Sequence, residues 1–220
     1  MTPVYFISGI AADSRLFRHI QLPEGFKSIH LSWIAPRHKE SLKEYALRLS
    51  GKINRDEPFI LVGLSLGGII ATEISNCLSP TATILISSVP VSAHLPPYYH
   101  FARKLGLQKI IPPSFFKWTA TTKRLFTKEA SEDKIVLKRM IAETDPNFIK
   151  WAINAVMNWK NETIPNRLFH IHGTCDEVFP HQFTTPTHVI KGGHTLVMSH
   201  AMEVNQIIDQ LLFSEPGHEK

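Results

Sequence analysis

Along the chain, short runs of β-branched and aromatic residues alternate with longer stretches whose apolar positions recur every three or four residues. Strands and helices taking turns in this way predict a mostly parallel sheet with helices on both faces, an α/β protein. Six runs read as strands: residues 4–8, 28–33, 59–62, 82–87, 168–172 and 187–190. Phe59-Ile60-Leu61-Val62 has no polar alternation, as expected of a strand buried on both faces. The last run is more mixed and is expected at or near an edge. Helices fill the gaps. One is expected over 42–53, capped by Ser41, with Leu42, Tyr45, Ala46 and Leu49 on one side. A second runs over 66–77 and stops at Ser79-Pro80. A third covers 201–213, with Val204, Ile207, Ile208, Leu211 and Leu212 at helical spacing.

Residues 89–160 break this rhythm. They hold no convincing strand and are punctuated by Pro90, Pro96-Pro97 and Pro112-Pro113. Helices are expected near 98–105, 114–126, 131–144 and 146–159, the last opened by Asp145 as cap and Pro146 in the first turn. The organisation that follows is a core made of 1–88 and 161–220, with 89–160 inserted as a helical cap over the sheet. Charge sharpens this division. The insertion carries twelve Lys/Arg against five Asp/Glu, and the rest of the chain twelve against fourteen. Solvated helix faces account for that surplus most simply, and a field drawing in anions is the sharper alternative.

Composition excludes more than it selects. At 220 residues, 43% hydrophobic and 20% charged, the chain is long and apolar enough for one packed domain. The N-terminus lacks a basic segment and reads as a strand rather than a signal peptide. Its longest apolar run, residues 59–71, is too short to span a membrane and contains three glycines and a serine. Cys77 and Cys175 are the two cysteines, so no disulfide framework is implied and a reducing cytoplasm is expected. No nucleic-acid motif accompanies the basic segment.

The chemistry concentrates at Gly63-Leu64-Ser65-Leu66-Gly67, between the buried strand and a helix. A strand turning sharply into a helix exposes the middle hydroxyl at the sheet's carboxyl end, and it needs small flanking residues to do so. An alcohol is a weak nucleophile and needs a base, which in turn needs an orienting carboxylate. Among twelve histidines, His194 follows the last strand in Lys191-Gly192-Gly193-His194, where two glycines let a loop bring an imidazole over the sheet edge. His170 and His172 share one face of a strand and read as structural, as do His188 and His200 by their positions. Asp176, in the loop after the fifth strand, is the expected acid, with Glu177 as its neighbouring rival. No Asp or Glu occurs between Glu73 and Glu129, which removes a carboxylate after the fourth strand.

Ser65, Asp176 and His194, in that order at the ends of successive strands, resemble the α/β-hydrolase superfamily. Gly173-x-x-Asp176-x-x-x-Pro180 and Gly193-His194 are similar to that family's acid and histidine loops. The resemblance implies the α/β-hydrolase fold, about six strands with the family's first two absent. It also implies an oxyanion hole built from the backbone N–H of Leu66 and of Ile10, with Gly9 as second choice to Ile10. Many relatives have His-Gly where this chain has Ser8-Gly9, so the support of that loop is open.

The expected reaction is cleavage of a small or medium ester through an acyl-enzyme, without metal or organic cofactor and with a small molecule as partner. A thioesterase, lactonase or carbon–carbon bond hydrolase using the same residues is an alternative, as is a non-catalytic small-molecule receptor on the same scaffold. Phe101, Phe116, Trp118 and Trp151 of the insertion are the expected substrate-binding residues.

Overall fold

The computed structural model describes residues 1–106 and 130–213. Six strands form one fully parallel sheet: β1 (Thr2–Ile7), β2 (Phe26–His30), β3 (Ile60–Leu64), β4 (Ala82–Ile86), β5 (Leu168–Gly173) and β6 (His188–Ile190), in the order β2-β1-β3-β4-β5-β6. Each lies within three residues of its expected limits. The mixed sixth strand sits at an edge, and β2 takes the other.

The burial pattern explains why these runs are strands. Every residue of β3 and β4 is buried, and alternate side chains feed two separate cores. Tyr5, Ile7, Leu61 and Leu85 join one cluster, whereas Val4, Phe6, Ile60, Val62, Ile84 and Ile86 join the other. Two apolar faces require two helical layers. Helices α1 (Leu42–Leu49) and α2 (Leu66–Ser75) cover the first face with Leu42, Tyr45, Leu49, Ile69, Ile70 and Ile74. On the second lie the short α6 (Leu196–Ser199) and α7 (Ala201–Phe213), through Leu196, Val197, Val204, Ile208 and Leu212.

Local signals set the helix ends. Ser41 and Glu44 form a reciprocal capping box at α1, with Ser41 Oγ accepting from the Glu44 amide and Glu44 Oε2 accepting from the Ser41 amide. That helix stops at Leu49, short of the expected Ile53, and tightens into a 3-10 turn over Ser50–Lys52 where Gly51 follows and Ser50 Oγ bonds back to the Leu47 carbonyl.

Between β4 and β5 the described residues contain a 3-10 turn over Ser92–His94, three α-helices and no strand: α3 (Pro97–Lys104), α4 (Ser131–Glu143) and α5 (Pro146–Met157). Asp145 caps α5 by accepting from the Asn147 amide, with Pro146 in the first turn. The helix expected at 114–126 lies outside the described residues. The inserted helices are tied to both cores: Phe148, Ala152 and Val156 of α5 join the α1–α2 side, while Leu137 and Met140 of α4 join the other. Among the described residues no helix is long and apolar enough to cross a membrane. Cys77 and Cys175 are both free and exposed.

Candidate functional site

Strand β3 delivers Ser65 to the carboxyl end of the sheet in a backbone conformation (φ 56°, ψ −120°) that non-glycine residues avoid. The turn is held by its surroundings. A Cβ on Gly63 would fall 2.3 Å from the Gly67 carbonyl oxygen, and one on Gly67 would fall 2.1 Å from that of Ile7. Neither position admits a side chain, so β3, α2 and the end of β1 meet backbone to backbone. Gly68 makes room for Ser88, whose hydroxyl donates to the Ser65 carbonyl at 2.7 Å. The Ser65 amide donates to the Ile86 carbonyl at 3.0 Å. Ser88 is a support that the sequence did not disclose. Its only trace there is a small residue where Gly68 needs space.

The structure brings together the three residues expected from sequence. Ser65 Oγ lies 2.9 Å from His194 Nε2, and His194 Nδ1 lies 2.8 and 3.0 Å from the two oxygens of Asp176. Asp176 is buried. Burial alone opposes its charge, but the attraction and hydrogen bond of His194, the Phe179 amide and the nearby His172 outweigh it and hold the carboxyl below its usual range. Its Oδ1 also accepts from the amides of Val178 and Phe179, at 2.8 and 3.0 Å. With a carboxylate on Nδ1, the His194 proton resides there, and Nε2 is left bare to accept from the serine. Glu177, the rival acid, makes no hydrogen bond to His194, whereas both Asp176 oxygens do.

The loop after β1 runs beside the nucleophile. A Cβ on Gly9 would meet that of Ser65 at 3.4 Å. Ser8, the departure noted in the sequence, closes this loop: its hydroxyl donates to the Ala12 carbonyl at 2.9 Å, and the Trp33 indole N–H donates to the same oxygen at 3.1 Å. The Ala12 amide bonds back to the Gly9 carbonyl at 3.2 Å, and Ala11 takes a positive φ of 57°. The Leu66 amide is the first of α2 and has no acceptor within that helix. Leu66 follows Ser65 in the chain, and the loop carrying Gly9 packs against the Ser65 side chain.

The expected substrate residues are placed only in part. Phe101 on α3 is 62% exposed. Trp151 is engaged in packing: its ring centroid lies 4.3 Å from that of Tyr45, and its indole N–H donates to the Glu40 carbonyl at 2.8 Å, tying α5 to the approach to α1. Phe116 and Trp118 lie outside the described residues. The aromatic side chain that does adjoin the base is Phe179, 5.9 Å from His194 by ring centroids, with Tyr99 stacked on it at 6.0 Å. A cavity of about 370 Å³ borders the loop after β1 through Ser8 and Ala12 rather than through Ser65, with Phe6, Phe17, Trp33 and Phe148 in its walls.

Comparison with known proteins follows the same line. Residues 8–207 match the model of an alpha/beta hydrolase family. The chain belongs to that family. No curated protein matches it in sequence. Among solved α/β-hydrolase structures it is similar to an esterase from Thermogutta terrifontis, with 17% identity, 96% of this chain and 89% of that one covered, and a TM-score of 0.75. An esterase from Exiguobacterium antarcticum gives 18%, 97% and 92%, and 0.74. The enol-lactonase from Burkholderia xenovorans LB400 gives 12%, 97% and 92%, and 0.70. At such identities these likenesses establish the fold.

Proposed function

We propose that the protein is a serine hydrolase that cleaves a small or medium ester through an acyl-enzyme, with Ser65 as nucleophile, His194 as general base and acid, and Asp176 as orienting carboxylate. The observation that carries this reading is the unbroken hydrogen-bond chain from Ser65 Oγ through His194 to Asp176 at a strained strand-to-helix turn. His194 Nε2 takes the hydroxyl proton as Oγ attacks the carbonyl carbon. Charge developing on the carbonyl oxygen is met by the amides of Leu66 and of Ile10, or of Gly9 in its place. Each such donor is worth about 3–4 kcal/mol in the transition state. Collapse of the tetrahedral intermediate expels the alcohol, which takes its proton from His194. Water then repeats the sequence on the acyl-enzyme, releasing the acid and restoring Ser65.

An ester is the favoured substrate because its alcohol leaves more easily than an amine, and because the structurally similar proteins include esterases and an enol-lactonase. Residues 89–160, with α3, α4 and α5, are assigned as a cap over this site. Phe179 and Tyr99 give the site an aromatic wall beside the base. A cytoplasmic location accords with two free, exposed thiols.

A series of p-nitrophenyl esters of increasing acyl length tests the reaction. Turnover is expected to be greatest for short to medium chains, and Ser65→Ala is expected to lower kcat by about 10⁴-fold or more. Equal turnover by wild type and Ser65→Ala would remove Ser65 from the reaction.

A further inference from the structure

Beside Asp176 lie two imidazoles that the reaction above does not use. His170 and His172 alternate along β5 with their rings on one face, and both are almost completely buried. His172 Nε2 is 2.7 Å from the Phe179 carbonyl oxygen and 3.5 Å from Asp176 Oδ2, while its Nδ1 is 2.9 Å from His170 Nε2. A core position on a parallel strand ordinarily takes Val or Ile, because a buried polar ring costs free energy unless its hydrogen bonds are made.

The partners fix where the protons sit. A carbonyl oxygen can only accept, so His172 Nε2 carries hydrogen and donates to Phe179. Burial keeps both rings neutral, pushing His170 down to about 3 and His172 below its usual range. A neutral His172 protonated on Nε2 has a bare Nδ1, which then accepts from His170 Nε2–H. His170 Nδ1 is left bare, beside the Ser88 carbonyl but without a hydrogen bond of good geometry to it. The reverse arrangement would turn His170 Nδ1–H toward the nearby Ser88 carbonyl. It would then set the bare Nε2 of His172 against the Phe179 oxygen at 2.7 Å, lone pair to lone pair.

We propose that His170 and His172 form a neutral, one-directional hydrogen-bond chain that holds the Asp176 loop in register with His194, making His172 a positioning residue for the reaction assigned to Ser65. The Phe179 carbonyl it grips belongs to the same residue whose amide donates to Asp176 Oδ1. One imidazole N–H thus holds Phe179 by its carbonyl while the amide of the same residue orients the carboxylate, and directs its remaining positive potential at Oδ2 without bringing a second full charge into the core. His94 and His181 stand around this chain but lie outside it: His94 Nδ1 faces Thr184 Oγ1 at 3.3 Å, and the His181 ring centroid is 6.4 Å from that of His172. Among the described residues no three ligand-bearing side chains are grouped to hold a metal ion.

This inference rests on the hydrolase reading for its kinetic consequence but not for its geometry, so the experiment reads both. In protein labelled with ¹⁵N-histidine, His170 and His172 are expected to carry their protons on Nε2 at neutral pH. The His194 Nδ1–H resonance is expected to shift in His172→Leu and to return toward its wild-type position in His172→Gln, whose amide N–H can replace the Nε2 donor. With p-nitrophenyl acetate, His172→Leu is expected to lower kcat by about tenfold or more with KM within about twofold, and His172→Gln to recover most of the loss. A proton on His172 Nδ1 in the wild type would overturn the proposal. So would a folded His172→Leu with unchanged His194 resonance and kcat. If His172→Leu does not fold, the wild-type tautomer decides, since it needs no variant. If the wild type neither turns over esters nor reacts at Ser65, the hydrolase reading fails, and the tautomers and the His194 resonance still judge the chain.

Discussion

Ser65 is held in a conformation that its own backbone disfavours. A non-glycine residue at φ 56° and ψ −120° stores about 1–3 kcal/mol, tolerated because the surrounding turn leaves no alternative. Glycine meets no such penalty, though it loses about 0.5–1 kcal/mol through the greater freedom of its unfolded state. Ser65→Gly is therefore expected to raise the urea midpoint, equivalent to about 1 kcal/mol, while eliminating hydrolysis. A destabilised Ser65→Gly would mean that the turn carries no strain. The roles of single residues were unevenly legible. Ser65, Asp176 and His194 could be found because each occupies a loop whose composition serves its task. Trp151 and Phe101 could not be sorted, since an aromatic residue on a helix reads alike whether it faces a pocket, the core or solvent. Ser8 is instructive in the other direction: it looked like a loss of support, yet its hydroxyl ties the loop to the Ala12 carbonyl.

At the level of elements, the site depends on the contact of β3, α2 and the end of β1, where backbone replaces side chains. Gly67→Ala would push a methyl group to within 2.1 Å of the Ile7 oxygen and 2.4 Å of the Ser8 oxygen. The two pieces that must yield are the ones bearing the nucleophile and the expected oxyanion donors. Destabilisation of about 1–3 kcal/mol is expected, together with a loss of kcat in whatever protein remains folded. Full activity in a folded Gly67→Ala would show that the approach is not needed. The strands and helices themselves were legible from periodicity because the sheet is buried on both faces and amphipathic helices cover it. Their ends were less so: α1 gives way to a 3-10 turn after Leu49, where tertiary contacts and Gly51 outweigh the helical pattern. The Ser88 bond to the elbow joins residues 23 apart, and the pairing of His172 with the Phe179 carbonyl depends on how the loop after β5 folds back, so no sequence pattern announces either.

At the scale of the molecule, loss of hydration holds four histidines of the described residues below the usual imidazole range: His170 and His172 in the core, His94 half-buried and His30 at the surface. Their unfolded counterparts take up protons near pH 6.5, whereas the folded protein resists until lower pH, about 3 for His170. Between these limits the unfolded state binds more protons, so stability is greatest above about pH 6.5 and falls on acidification, by up to about 1.4 kcal/mol per pH unit for each of the fully buried rings, His170 and His172, and by less for the solvent-screened His30 and His94. Asp176, with its carboxyl also held low, adds a loss in the same direction as pH drops through the carboxylate range. Urea midpoints are expected to decline from pH 7.5 through 6 to 5. A flat profile would contradict the assignment of neutral, buried imidazoles. The same burial places two of these rings behind the candidate site, so its chemistry and the acid tolerance of the fold draw on shared residues. If Ser65 is an activated nucleophile, a fluorophosphonate probe reacts with it, and mapping of the modified peptide locates the adduct. A single adduct is expected on Ser65 in wild type, with none in Ser65→Ala and a rate reduced by orders of magnitude in His194→Ala. A folded wild type that stays unlabelled, or an adduct that persists in Ser65→Ala, would contradict that assignment.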